Sequence, residues 1–405
     1  MLFNVEKAGI PMPSGKNSAL DRIALALPGL IKDPLLSLPV DSSQNLGDIV
    51  LDENITLEEL TQIIQDGKQS PGYFANGTAV IKTNHSINLQ AISSLMVRHH
   101  IPYAPEKPVE TVPSRAFTGI IIDARGKLPV QGEFLEDTVI PCFFPKIWDD
   151  QMNLVYERNM TDSEMAKQTG IAVYDYSDDE SRYQNRIGKD PLRILAKKVY
   201  GQNRTDPLIS HKDALKILTV PENLKLLRDG KVVILLDKER LVHNVQAPLK
   251  NEMYYTSLNA VRRLLYTDKV PDVVIQDTYK GILFQVDLKF YADSPVLLPE
   301  ENDRIAKIAE MLKEITQSNE FTILVEGHAA DVGKPTGELK LSISRAQSVI
   351  AALENFGVSK DLFSFKGYGA SQPAADNSTA AGRAQNRRVD ITARPKATYI
   401  QRDWN

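Results

Sequence analysis

Residues able to do covalent chemistry are present in this chain, but not at the spacings such chemistry needs. There is no His-Glu-x-x-His, no Gly-x-x-x-x-Gly-Lys-Ser/Thr, no Gly-x-Ser-x-Gly and no Cys-x-x-Cys. The six histidines are His85, His99, His100, His211, His243 and His328. His99 and His100 are adjacent, so on a helix their rings diverge by about 100° and cannot share one metal. All six read as structural or surface residues. Cys142, the single cysteine, lies in the apolar run VIPCFFPK and cannot form an intrachain disulfide. It reads as a buried side chain. The best-placed acid–base candidates are Asp123 and Arg125, at the end of the Ile120–Ile122 run. They would need a pocket that brings His211 or His243 to them; a turn after a buried strand explains them more simply. No metal, cofactor or catalytic residue is implied.

A sharper set stands near the C-terminus. VEGHAADVG (Val325–Gly333), LSISRA (Leu341–Ala346), GYG (Gly367–Gly369) and GRAQNRRVDI (Gly382–Ile391) follow one another in order. Arg345, Arg383, Arg387 and Arg388 are the guanidinium side chains in this set.

The elements that must position these residues can be read from periodicity. At 405 residues, the chain allows two to four domains of roughly 100–200 residues each. We divide it at 1–115, 116–280 and 281–405. In the first block SALD (Ser18–Asp21) and TLEE (Thr56–Glu59) resemble capping boxes that open helices. A third helix is expected over Ser86–His99, and YFANGTAVIKT reads as a turn at Asn76–Gly77 followed by a strand. Prolines 102, 105, 108 and 113 suggest an extended linker. The second block alternates short β-branched runs (FTGIIIDARG, GIAVYDY, KVVILLD) with helices such as SHKDALKIL, ENLKLLRDG and TSLNAVRRLLY. The third reads β-α-β-α-β-β, with strands at LFQVDLKF, FTILVEG, FSFKGYG and RRVDITA and helices at Pro299–Ile315 and Leu341–Gly357. The fold class is therefore α+β and multidomain, with the helices of the last domain on one side of a mixed sheet.

Composition narrows the function classes. Hydrophobic residues at 42% and charged residues at 25% are ordinary for a globular protein. The net charge of −4 (48 basic against 52 acidic residues) excludes the broadly basic surface of a general nucleic-acid binder. It equally excludes an acidic disordered chain. No run approaches the roughly 18 apolar residues of a spanning helix. The opening MLFNVEKAGIPMPSGK lacks the basic start, apolar core and cleavage site of a leader. A protein acting outside the cytoplasm would thus have lost its leader before Met1.

The four C-terminal motifs resemble the OmpA-like C-terminal domain, the peptidoglycan-associating module of bacterial envelope proteins. The resemblance covers about residues 281–396. TGIIIDARG, RIGKDPL (Arg186–Leu192) and LLRDGKVVILL are similar to a bacterial envelope family without an assigned activity. The OmpA-like resemblance implies a periplasmic or outer-membrane-associated, non-enzymatic domain that binds the peptidoglycan stem peptide. In that family an aspartate holds the ammonium of diaminopimelate, and an arginine fifteen positions later holds its carboxylate.

Carried over by position, the pocket falls on Asp293, Ala330, Asp331, Glu338, Ser342, Arg345 and Arg387. Arg345, Leu341, Ser342 and Ala346 match the family pattern N-x-x-L-S-x-x-R-A, but its asparagine becomes Glu338. G-H-T-D becomes Gly327-His328-Ala329-Ala330, so the ligand aspartate is Ala330. F-D-x-N-S becomes Phe290-Tyr291-Ala292-Asp293-Ser294. Losing one partner of a desolvated ion pair costs about 2–5 kcal/mol, roughly 30- to several-thousand-fold in affinity. The expectation is a kept fold with diaminopimelate binding weakened or lost, and envelope proteins as further partners. The alternative is an active peptidoglycan anchor that uses Asp331 and Arg345 as its charge pair. Arg345 has a simpler reading too, as a helix arginine bridged to Glu338 or Asp331.

Overall fold

The computed structural model describes residues 2–4, 15–74, 80–268, 270–317 and 321–405; the turn expected at Asn76–Gly77 lies outside them. The chain forms two compact units. One comprises Met1–Gly126, Val139–His243 and Gln401–Asn405, the other Lys127–Thr138 and Asn244–Ile400.

The first unit begins with helices at Gly15–Leu36, Leu46–Leu51 and Leu57–Gln65. Thr56 and Glu59 form the expected capping box: the Thr56 hydroxyl accepts the Glu59 N–H, and the Glu59 carboxylate accepts the Thr56 N–H at 2.8 Å. The Ser18 box does not form. Ala19, Ile23, Leu27, Ile31 and Leu35 make one buried stripe at a spacing of four, and the helix extends a turn ahead of it, leaving Ser18 inside. The helix expected over Ser86–His99 shortens to Leu89–Leu95, because the Asn88 side chain accepts the Gln90 N–H and caps it there.

Four parallel strands follow in this unit: β1 (Ile120–Asp123), β2 (Val173–Asp175), β3 (Leu192–Leu195) and β4 (Val232–Leu235), in the order β2-β4-β1-β3. All four residues of β4 are buried, as unbroken apolar runs in parallel sheets require. The proline-containing stretch over 101–118 is held in place. The Tyr103 N–H donates to Asn159 O, Arg115 pairs with Asp190, and the Phe117 N–H donates to Asn223. Gln90 donates to Ala166 O and Lys167 O, and Asn203 to Asp41 O. The first block and most of the second, divided at residue 115 on composition, thus share one compact unit, while Lys127–Thr138 and the residues from Asn244 on belong to the other.

The second unit is built on α1 (Glu252–Asp268), β5 (Val273–Thr278), β6 (Gly281–Val286), α2 (Asn302–Thr316), β7 (Phe321–Gly327), α3 (Pro335–Asn355), β8 (Phe363–Gly367), α4 (Ala380–Asn386) and β9 (Val389–Pro395). The sheet order is β5-β6-β9-β7-β8, antiparallel throughout except for the parallel β7–β8 pair. Phe321, Ile323 and Val325 of β7 share one apolar core with Ile305, Ile308 and Leu312 of α2 and Ala346, Val349 and Leu353 of α3. This is the mixed sheet with packed helices read from the sequence. The core also takes in Tyr254, Leu258 and Val261 of α1 and Val273 and Ile275 of β5. These lie before residue 281, so the unit begins earlier than the resemblance does.

Candidate ligand pocket of the C-terminal unit

Helix α3 approaches β7 and β8 closely because glycines stand opposite it. A Cβ on Gly327 would sit 2.0 Å from Ser342 O, and one on Gly367 would sit 2.4 Å from the Ile343 side chain. Ser342 is fully buried. Its hydroxyl donates to Leu339 O at 2.8 Å and accepts the Gly369 N–H at 3.0 Å. Among the predicted pocket residues, Ser342 is thus occupied in joining α3 to the turn after β8.

Strand β7 ends at Gly327, so Ala330 and Asp331 lie in the loop before α3. Ala330 is buried, and the neighbouring Ala329 N–H donates to Gly369 O. Asp331 accepts the Gly333 N–H on one oxygen and the Phe134 N–H on the other, both at 3.1 Å. Phe134 belongs to a hairpin of the same unit, in which Leu128–Pro129 pairs with Glu136–Asp137. A Cβ on Gly333 would lie 3.5 Å from its ring. The Asp331 N–H donates to Asn377, whose side-chain oxygen also accepts from the buried Asn386. Glu338 is buried, and its carboxylate accepts the N–H groups of Val332 and Lys334 at 2.8 and 3.0 Å. Both acids therefore hold the loop through main-chain hydrogen bonds.

Arg345 is 7% exposed. Its Nε donates to Ser294 O at 3.2 Å, and its guanidinium lies 4.8 Å from the Phe290 ring centroid. Among the described residues its two terminal nitrogens make no hydrogen bond or ion pair with the protein. The bridge to Glu338 or Asp331 that would have explained it simply does not form. Burial pushes its pKa below the ordinary arginine value, Arg387 pushes it further, and Asp293 opposes them. Asp293 is exposed, in a left-handed backbone conformation at φ 50°. Arg387 is exposed at the end of α4, and its side chain has no hydrogen-bond partner among the described residues. Arg387 and Asp293 thus act on Arg345 through charge, while Asp331, Glu338 and Ser342 make hydrogen bonds within the loop, the Phe134 hairpin and the turn after β8. Sequence reasoning did not assign roles to the Ser294 carbonyl or the Phe290 ring, although both belong to the motif it aligned. Phe134 left no local signal.

His328 is buried, stacked on Tyr368, with Nε2 3.3 Å from Asp390. In the first unit, Arg125 pairs with Asp123 and Asp178 at the edge of a recess of about 300 Å³, which Tyr183 and Arg193 also line. His211 lines a different recess, with Asp149 and Tyr103. Among the described residues, these two recesses share no lining residue. Cys142 is buried, and that burial pushes its thiol pKa well up.

The OmpA family model matches residues 289–387. Models described as the N-terminal and second domains of Treponema pallidum Tp0624 match residues 2–95 and 119–238. Outer membrane porin F of Pseudomonas aeruginosa is 37% identical over 140 residues, covering 32% of this chain and 39% of that protein. The outer-membrane lipoprotein YfiB of the same species is 37% identical over 95 residues, 24% of this chain and 55% of that protein. The chain spans between about a third and about half the length of the curated relatives it matches. Among solved structures, the cell wall anchor of the Pseudomonas aeruginosa T6SS is 28% identical. It covers 34% of this chain and 97% of its own at a TM-score of 0.29. The peptidoglycan-associated lipoprotein of Burkholderia pseudomallei is 27% identical, covering 26% and 88% at a TM-score of 0.25. The C-terminal unit thus carries the OmpA family match at residues 289–387, and the two curated relatives described above are outer-membrane proteins by name.

Proposed function

We propose that this is a structural and interaction protein of the bacterial envelope, periplasmic or outer-membrane-associated, whose OmpA-like domain binds diaminopimelate weakly or not at all. The observation that carries the reading is the fate of the pocket's acids. Ala330 stands where the family's ammonium-binding aspartate would be, and the nearby carboxylates of Asp331 and Glu338 are engaged by backbone N–H groups. An ammonium brought to Arg345 would meet the positive charges of Arg345 and Arg387, opposed by Asp293. The first unit would then engage other envelope proteins. The competing reading, an anchor that pairs Asp331 with Arg345, requires a carboxylate that here accepts from Phe134 and Gly333. Calorimetric titration of the intact chain with diaminopimelate tests the proposal. No saturation in the micromolar range is expected, and micromolar saturation overturns it.

A further inference from the structure

We propose that the groove beneath residues 102–110 of the first unit docks a proline-rich segment of a partner protein, one with a carboxylate just after its last proline, and that the chain's own segment lies there as a stand-in. The inference deepens the reading that the first unit engages other envelope proteins and rests on it.

The segment has the period of a polyproline helix. Pro102, Pro105 and Pro108 are half-buried, whereas Tyr103, Ala104, Glu106, Lys107, Val109 and Glu110 are exposed. A polyproline II helix turns once every three residues and has no internal hydrogen bonds, so prolines at this spacing form one edge. Here that edge faces the protein. The segment is pinned at its ends, where the Tyr103 N–H donates to Asn159 O at 3.1 Å and the Ser114 hydroxyl donates to Lys216 O at 3.2 Å. Between them, the main chain of residues 104–113 makes no hydrogen bond among the described residues. Its side chains alone hold it to the surface.

The surface below offers two kinds of recognition. A recess of about 820 Å³, within the range of ligand pockets, separates the segment from an apolar floor of Met152, Leu154, Met160 and Leu218. The buried Asp149 carboxylate accepts the N–H groups of Gln151 and Asn153 at 3.0 and 2.7 Å, closing the turn that carries Met152 at φ 64°. The same carboxylate meets His211 Nδ1 at 2.7 Å and so orients the ring. His211 Nε2, on the far side, lies 3.6 Å from the Glu110 carboxylate. Prolines are thus met by the floor and an acid by His211. The stand-in fits loosely: its acid is beyond hydrogen-bond distance, and the recess beneath it is unfilled. A plain linker would need neither a proline at each inward position nor an oriented histidine opposite its acid.

A labelled peptide copying residues 101–113, titrated into the intact chain and followed by fluorescence anisotropy, tests the idea. The tethered segment competes at high effective concentration, so the peptide should bind a Pro105→Ser/Pro108→Ser chain about tenfold or more tighter than the parent. Glu110→Gln, a change at an exposed side chain that keeps every proline, should also bind it more tightly than the parent, which covers a failure of the double variant to fold. In either loosened chain, a peptide with its prolines replaced by alanine should bind about tenfold weaker or worse, because it must be ordered on binding. A peptide carrying Glu110→Gln should bind severalfold weaker. Adding His211→Gln to the chain should erase the difference between the Glu and Gln peptides, an effect that general destabilisation would not produce. No saturable binding by either loosened chain, equal binding of the alanine peptide, or a Glu preference that survives His211→Gln overturns the inference. Dimerisation of the loosened chain without peptide would put a second copy in the groove and overturn the assignment to a partner. Micromolar binding of diaminopimelate would instead overturn the reading of the C-terminal unit, so the two failures are distinguishable.

Discussion

The hydroxyl of Ser342 accepts the main-chain N–H of Gly369 at 3.0 Å, tying the middle of α3 to the turn after β8. Ser342→Ala leaves that buried N–H without an acceptor. The expected loss is about 1–3 kcal/mol, the cost of a buried unsatisfied donor, read by denaturant unfolding of the intact chain. A loss near zero would show that the hydroxyl is not part of the scaffold.

Glu338 serves the loop in the same way. An acceptor oxygen is what Val332 and Lys334 require of it, and charge is secondary. Glu338→Gln keeps an oxygen and should cost less than about 1 kcal/mol, whereas Glu338→Ala strands two N–H groups and should cost about 1–3 kcal/mol or more. Equal losses for the two variants would contradict this role.

The first unit carries a pH dependence that can be assigned. The Asp149 carboxylate, 2.7 Å from His211 Nδ1, raises the His211 pKa, and Glu110 adds to it. A raised pKa in the folded state means that protonated His211 stabilises the fold. That contribution is complete below the ordinary histidine value of about 6.5 and is lost as pH rises through the raised value. Melting temperature should accordingly fall over that interval, and His211→Gln should flatten the fall. Comparing variant with parent isolates this group from His243, whose pKa burial pushes down and whose effect runs the other way. Parallel profiles for the two proteins would remove His211 as the cause.

Leu258, 3% exposed on α1, tests where the C-terminal unit begins. Leu258→Ala should destabilise that unit by about 2–5 kcal/mol, as for other buried leucines. Hydrogen exchange that loosens β6, β7 and β9 would confirm a shared core, since Phe284, Ile323 and Ile391 belong to it. Unaltered protection in these strands would argue that α1 is a separate element.

The last domain was legible because its helices carry long stripes and its strands are continuous apolar runs. Phe321–Gly327 falls on the residues read from the sequence. Helix α4 escaped because seven residues containing Gly382 are too few to show a period. Its signal is the Thr379 cap, whose side chain accepts the Gly382 N–H. Strand β5 alternates, with Val273 and Ile275 buried and Val274 exposed, but it lies beyond the reach of the family motif and was passed over. In the pocket, the family pattern points by position to Arg345 and to Ala330 in place of the acid. It could not show that Asp331 and Glu338 would turn to backbone N–H groups, because that choice depends on where the loop places its donors.

The Lys127–Thr138 hairpin has a consequence for synthesis. Phe134 and the Asp331 that holds it are 197 residues apart in the chain. At about 5–20 residues per second, a ribosome needs roughly 10–40 s to travel between them. For that interval the hairpin emerges between strands of the first unit with its docking loop not yet made. Phe134, 74% exposed even when docked, is then wholly uncovered. The C-terminal unit is therefore discontinuous in synthesis as well as in sequence: one of its pieces is translated about a third of the way along the chain and must wait for the last.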